Sequence, residues 1–166
     1  YDLGYPSMKV TLLGTGTSQG VPVIGCECEV CMSEDARDSR LRTSILVQIG
    51  GKLVVVDTGT DFRQQMLREG VKELEAIVFT HEHKDHVAGL DDIRAYNYWQ
   101  KRPMDIYANK DVERAIKRDF HYAFDESIKG GVPRMNIRNI HREQFELCGE
   151  VWTPLPVMHA DMEVLG

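Results

Sequence analysis

No run of this chain approaches transmembrane length, and no basic-then-apolar stretch precedes the fold, so the sequence reads as having neither a membrane span nor a secretory signal. Basic residues are not in excess either. Lys and Arg number 20 against 26 Asp and Glu, and the resulting net charge of -6 argues against a broad nucleic-acid-binding surface. A small phosphate ester stays within reach, because bound cations can supply local positive charge. Repeats and Pro/Ser-rich linkers are missing, which leaves one α/β domain. Cysteine is scarce at four, and three of these crowd into six positions, too close and too odd in number for a disulfide framework. With 28% charged and 42% hydrophobic residues, the composition is that of an ordinary soluble, cytoplasmic domain without membrane attachment.

What the chain does have is a concentration of metal-binding side chains. His81-Glu82-His83-Lys84-Asp85-His86 packs three histidines and an aspartate into six consecutive positions. Imidazole and carboxylate suit zinc and neighbouring divalent metals, and four such groups exceed what one ion takes from one loop. The arrangement points to a pair of metals, and paired metals commonly serve hydrolysis. Ala76 to Thr80 is a short apolar, β-branched run that reads as a buried strand, and Val87 to Tyr98 carries the spacing of a helix. The cluster therefore lies at the carboxyl end of a strand, where open α/β sheets place their chemistry. In extended chain, residues two apart face the same way, so His81 and His83 can share one metal while Asp85 and His86 serve a second. A solvated, histidine-rich helix start is the bland alternative; the added Asp-His argues against it.

Cys26, Cys28 and Cys31, in Cys-x-Cys-x-x-Cys spacing, suit a tetrahedral structural zinc, which needs four protein ligands. Unligated, reduced thiols are the alternative. Cys148, the remaining cysteine, could supply a fourth ligand, but a buried thiol at a strand edge is the stronger reading. Arg40-Leu41-Arg42-Thr43-Ser44, a basic pair with hydroxyls, could hold a phosphate, but ion pairs of the arginines with Glu34, Asp35 or Asp38 are the stronger reading.

Other segments fall into alternating elements. Met8 to Leu13, Thr43 to Ile49 and Lys52 to Asp57 read as strands, with Gly50-Gly51 as a hairpin turn. Asp61 to Glu69 reads as a helix capped by Thr60 or Asp61, and Lys110 to about Phe124 as a helix capped by Asn109. Asp105 to Ala108, Asn136 to Ile140 and Glu150 to Met158 read as further strands, and Asp125 to Pro133 as a loop placed to overhang the site. His121 and His141 read as structural or surface residues.

The His81-x-His83-x-Asp85-His86 pattern resembles the signature of the metallo-β-lactamase superfamily of di-metal hydrolases. Lys52 to Gly59, ending in Asp57-Thr58-Gly59, resembles the family's earlier Asp-x-Gly strand, and Leu155 to His159 resembles its next motif. The resemblance implies an αβ/βα four-layer sandwich. It implies that His159 joins His81 and His83 on the first metal, and that Asp57 braces the metal loop rather than ligating. With the cysteine loop and the Gly-rich Leu12 to Pro22 stretch, it is similar to the cyclic phosphodiesterase branch, typified by the phosphoribosyl cyclic phosphate phosphodiesterase of the carbon–phosphorus lyase pathway. A more distant likeness is to tRNA 3′-end processing nucleases. The branch takes its fourth structural-zinc ligand from a later histidine.

That resemblance sets the functional expectation: two divalent metals, zinc or manganese, one structural zinc, and a small or cyclic phosphodiester attacked by a metal-bridging hydroxide. Asp85 would be both ligand and proton acceptor. Glyoxalase-type thioester hydrolysis, a tRNA 3′-processing-like nuclease and a non-catalytic metal-binding module are the alternatives, and a homodimer is left open. The domain is expected over residues 8–166, after a leader or tag remnant at 1–7. Layered domains of this kind commonly take about 200–250 residues. At 166 residues the chain is therefore expected to carry only the N-terminal two thirds or so, without the family's bridging aspartate and last metal histidine.

Overall fold

The β-branched runs of the chain assemble into one mixed six-stranded sheet. The computed structural model describes residues 7–166, so the expected leader falls, Ser7 apart, outside the described residues. Strands β1 (Met8–Gly14), β2 (Ser44–Ile49) and β3 (Lys52–Val56) are antiparallel neighbours. The β2–β3 connection is Gly50-Gly51, both with positive φ (53° and 84°), the conformation that two-residue hairpin turns demand.

From β3 onward the sheet continues in parallel through β4 (Ala76–Val78), β5 (Met104–Ala108) and β6 (Met135–Asn139). Parallel neighbours need crossovers. These are α1 (Phe62–Arg68) before β4, α2 (Lys84–Val87) and α3 (Arg94–Gln100) before β5, and α4 (Lys110–Asp119) before β6.

Alternation along the strands separates two apolar layers. Val55, Ile77 and Ile106 lie side by side and enter the main core with Phe62 and Met66 of α1, Tyr96 of α3 and Ile116 of α4. Val54, Ala76 and Val78 face the other way. They meet Leu147 and Leu165 from two hairpins, β7 (Phe145–Leu147) with β8 (Glu150–Trp152) and β9 (Pro156–His159) with β10 (Met162–Leu165). The described residues thus supply a helical layer, a full sheet, and hairpins across the sheet's second face.

Several expected boundaries move. The helix expected from Val87 begins earlier, at Lys84, with His83 at its N-cap, and tightens into a 3-10 stretch over Ala88–Ile93 before α3 resumes. The cause is a close backbone approach: the Gly89 N–H donates to Thr58 O at 2.8 Å. The strand expected over Glu150 to Met158 is two strands, β8 and β9, broken at Thr153-Pro154-Leu155, where Leu155 instead exchanges two backbone bonds with Gly166. The helix expected to reach Phe124 stops at Asp119 and is followed by a 3-10 turn. The loop from Asp125 lies against α3, where Arg94 Nη1 donates to Gly131 O at 3.4 Å.

Candidate metal centre

The parallel β3–β4 pair delivers two chemically distinct strand ends side by side. Asp57 follows β3 and Thr80-His81 follows β4. Asp57 is 3% exposed and sits at φ +65°, a left-handed conformation that aspartate tolerates better than most residues. Its carboxylate is a hub. Oδ1 accepts from the Thr80 N–H at 2.9 Å; Oδ2 accepts from Thr80 Oγ1 and from His86 Nδ1, each at 2.7 Å. Ser44 Oγ, also buried, donates to the carbonyls of Asp57 and Val56 at 2.9 and 3.0 Å and holds the turn from behind.

This hub assigns ring tautomers. The Thr80 hydroxyl gives its proton to Asp57, so it accepts from His81 Nδ1 at 2.9 Å. His81 Nε2 is then left with its lone pair free, 3.2 Å from His83 Nδ1. By the same logic His86 donates through Nδ1 to Asp57 and keeps Nε2 free, 3.3 Å from Asp85 Oδ2. A carboxylate that fixes an imidazole through one nitrogen so that the other can ligate is the usual outer support of a metal-binding histidine.

His81, His83 and His159 each offer a ligand atom, and these atoms lie within 4.8 Å of one another. His159 arrives from the end of β9, and its ring centroid is 5.4 Å from those of both His81 and His83. Asp85 and His86, in α2, flank this trio; the His86 ring is 4.0 Å from that of His81. Burial, then the neighbouring His86, pushes His81 down to about 4, which leaves it neutral and able to donate a lone pair at physiological pH. His86 moves the opposite way: burial opposes its charge, but the hydrogen bond and charge of Asp57, with Asp85, hold it above its ordinary value. Three converging imidazoles, one of them buried and neutral, with a carboxylate and a fourth imidazole alongside, fit a divalent transition metal.

Cys26, Cys28 and Cys31 form the second cluster with ligand atoms within 4.8 Å of one another. The Cys31 N–H and the neighbouring thiols bring Cys28 down to about 7. Val23 N–H donates to Cys31 Sγ at 3.3 Å, yet burial and the adjacent thiols hold Cys31 above its usual value. Cys148 is not at a strand edge: it occupies the β7–β8 turn at φ +59°, half-buried. Arg42 pairs with Asp61 rather than with the acidic residues near it in sequence, and Asp35 is taken by Arg37. His121 and His141 are exposed.

Thr80 was not singled out by sequence reasoning, though it adjoins the histidines and could have been suspected as a relay. Ser44 was read as one of the hydroxyls beside Arg40 and Arg42 that could hold a phosphate; its Oγ is instead spent on the Val56 and Asp57 carbonyls, a role that depends on register with β3.

A mixed sheet with a histidine-rich loop after β4 and a bracing aspartate after β3 defines a metal-site α/β protein. Residues 52–165 match the family described as beta-lactamase superfamily domain, and the chain belongs to that family. The crystal structure of a new diphosphatase from the PhnP family is 44% identical, with a TM-score of 0.87, over 96% of this chain and 61% of that one. A protein of Porphyromonas gingivalis named octanoyltransferase is 41% identical over 161 residues, which are 96% of this chain but 32% of that protein. Zinc-bound PqqB from Methylobacterium extorquens is 25% identical, with a TM-score of 0.71, over 91% of this chain and 56% of that one. The fold is that of the metallo-β-lactamases, and the chain spans less than two thirds of the length of each of these relatives.

Proposed function

We propose that this chain carries the principal part of a metal-dependent hydrolase that cleaves a small or cyclic phosphodiester. The observation that carries the reading is the convergence of His81, His83 and His159, with Asp85 and His86 beside them, at the carboxyl end of β4. Likeness to a diphosphatase at 44% identity supports phosphorus–oxygen chemistry over thioester chemistry. A phosphodiester also accords with the net charge of -6, which suits a small substrate better than a long nucleic acid.

His81, His83 and His159 would hold one cation, and Asp85 with His86 would begin a second position. When bound, a pair of divalent cations supplies Lewis acidity toward phosphoryl oxygens and lowers the pKa of water. The protein's own part is orientation and proton handling. Asp57 fixes His86 directly and His81 through Thr80, so neither ring has to turn before it ligates. Asp85, half-buried with Oδ2 3.3 Å from His86 Nε2, would accept the proton of the attacking water on a carboxylate oxygen. The Cys26–Cys28–Cys31 trio would hold a structural zinc at a distinct place in the chain.

The experiment is a substrate panel on the full-length protein: bis(p-nitrophenyl) phosphate, a cyclic ribose phosphate, S-lactoylglutathione and a pre-tRNA. Phosphodiester turnover should be abolished by chelation and by His83→Ala or Asp85→Ala, with the circular dichroism spectrum unchanged. Turnover of the thioester or the pre-tRNA alone would replace the reading, and activity indifferent to chelation and to both variants would end it.

A further inference from the structure

One polar seam joins the thiol cluster to the histidine centre. Val23 is tied to the cysteine loop, its N–H donating to Cys31 Sγ at 3.3 Å and its carbonyl accepting from the Cys26 N–H at 3.0 Å. Two residues earlier, Val21 and Arg40 exchange two backbone hydrogen bonds, each 2.8 Å. Two residues on, Arg42 grips Asp61: its backbone N–H and its Nη1 donate to the two carboxylate oxygens, each at 2.8 Å, while Nε donates to Ser18 O at 2.9 Å. Gln65 Nε2 secures the Arg42 carbonyl at 2.9 Å. The Gly-rich loop lies directly on this segment, for a Cβ at Gly14 would stand 2.0 Å from Arg42 O.

Asp61 is the N-cap of α1, yet its side chain makes no capping bond. An N-cap carboxylate ordinarily satisfies an amide of its own helix. Here both oxygens turn to Arg42, a residue 19 positions away. Asp61 also ends the turn that begins at Asp57. Within that turn Gly59 touches the metal loop, where a Cβ would stand 2.1 Å from Asp85 O, and Asp57 holds His86 and Thr80. Ser44, two residues after Arg42, fastens the Asp57 carbonyl at 2.9 Å. The 40–44 segment thus meets Val21, two residues before the Val23 that binds the Cys31 thiol, at one end and the Asp57 turn at the other.

We infer that the Arg42–Asp61 pair is a positioning device through which the thiol cluster sets the geometry of the Asp85–His86 half of the histidine centre. Disturbing the thiols would loosen the loop on Arg42, and with it the turn that carries Asp57 and Gly59. The inference rests on the reading of Asp85 and His86 as cation ligands. It goes beyond that reading by making their ligating geometry depend on residues that touch neither cation nor substrate.

Manganese(II) alone, followed by electron paramagnetic resonance in the full-length protein, separates the possibilities, because carboxylate and imidazole accept it while thiolates favour softer ions. The variants are Arg42→Met, Asp61→Asn, the Cys26→Ser/Cys28→Ser pair, and the combination of Arg42→Met with that pair; His86→Ala is the reference. Arg42→Met and the cysteine pair should each weaken the second manganese about tenfold, as loss of an outer support does, and the first by less, since Asp57 reaches His81 only through Thr80. Together they should weaken it no more than either alone, since both act through one path. Additive losses, equal losses at both positions, or unchanged binding in folded variants would overturn the inference. Asp61→Asn, which keeps an acceptor for the Arg42 N–H, serves if Arg42→Met does not fold. Manganese binding indifferent to His86→Ala would instead show that the ligand reading itself is wrong, and the inference falls with it.

Discussion

At the scale of single residues, the two braced histidines respond to pH in opposite senses. His81 titrates near 4 in the fold against about 6.5 when unfolded. Between those values the unfolded chain takes up a proton that the folded chain refuses. Stability from this group is therefore complete above about 6.5 and is lost as pH falls toward 4, by on the order of 2–3 kcal/mol. His86 is raised, so its contribution is complete below the unfolded value and is lost as pH rises through the folded one. In chelator-treated protein, urea midpoints measured from pH 8 to 4.5 should fall below pH 6.5, and His81→Gln should flatten that fall. An equal fall in the variant would mean that other groups carry it.

The residue scale is also where the sequence was most legible. His81, His83, Asp85, His86 and the three clustered cysteines declare themselves by density. Asp57 and His159 are isolated in the chain and became candidates only through a family pattern. Ser44 was legible only as a hydroxyl beside Arg40 and Arg42, and Thr80 carries no mark, because a hydroxyl acquires meaning from what stands across the sheet from it. Arg42 was visible but its partner was not: Asp61 lies 19 residues away and meets it only once β2 and α1 are in place.

Among the elements, two glycines decide how closely the metal loop approaches its support. A Cβ at Gly59 would stand 2.1 Å from Asp85 O, and one at Gly89 would stand 2.2 Å from Gly59 O and 2.9 Å from Phe62 Cβ. The obstructing atoms are mainly backbone, so the contact cannot be relieved by a rotamer change. Gly59→Ala and Gly89→Ala should each cost at least the 1–3 kcal/mol typical of overpacking. Gly70→Ala is the control: at φ +64° with open space around it, it should cost only the roughly 1–2 kcal/mol of left-handed strain. Urea denaturation of the three variants checks the order, and Gly59→Ala should in addition weaken cation binding. These contacts explain which element boundaries the sequence concealed. Strand cores follow from alternation and β-branching, whereas the 3-10 break after α2 and the split between β8 and β9 come from long-range backbone partners, Gly89 with Thr58 and Leu155 with Gly166.

For the molecule as a whole, the sheet order and its two apolar faces follow from patterns that any α/β reading would find; the convergence of the site does not. Its donors come from the loop after β4 and from the end of β9, and the β9–β10 hairpin is docked by the Leu165 N–H on Thr80 O at 3.1 Å. The β2–β3 hairpin, closed by two residues, is the most local part of the sheet, and local contacts form early. The histidine trio depends on contacts that span half the chain and belongs to the end of assembly. On that order, a cation captured by the trio would arrive after the folding barrier has been crossed. In stopped-flow experiments, manganese should therefore slow unfolding and leave the refolding rate untouched. The ion would act as a latch on a finished molecule, with no part in guiding the chain to its fold.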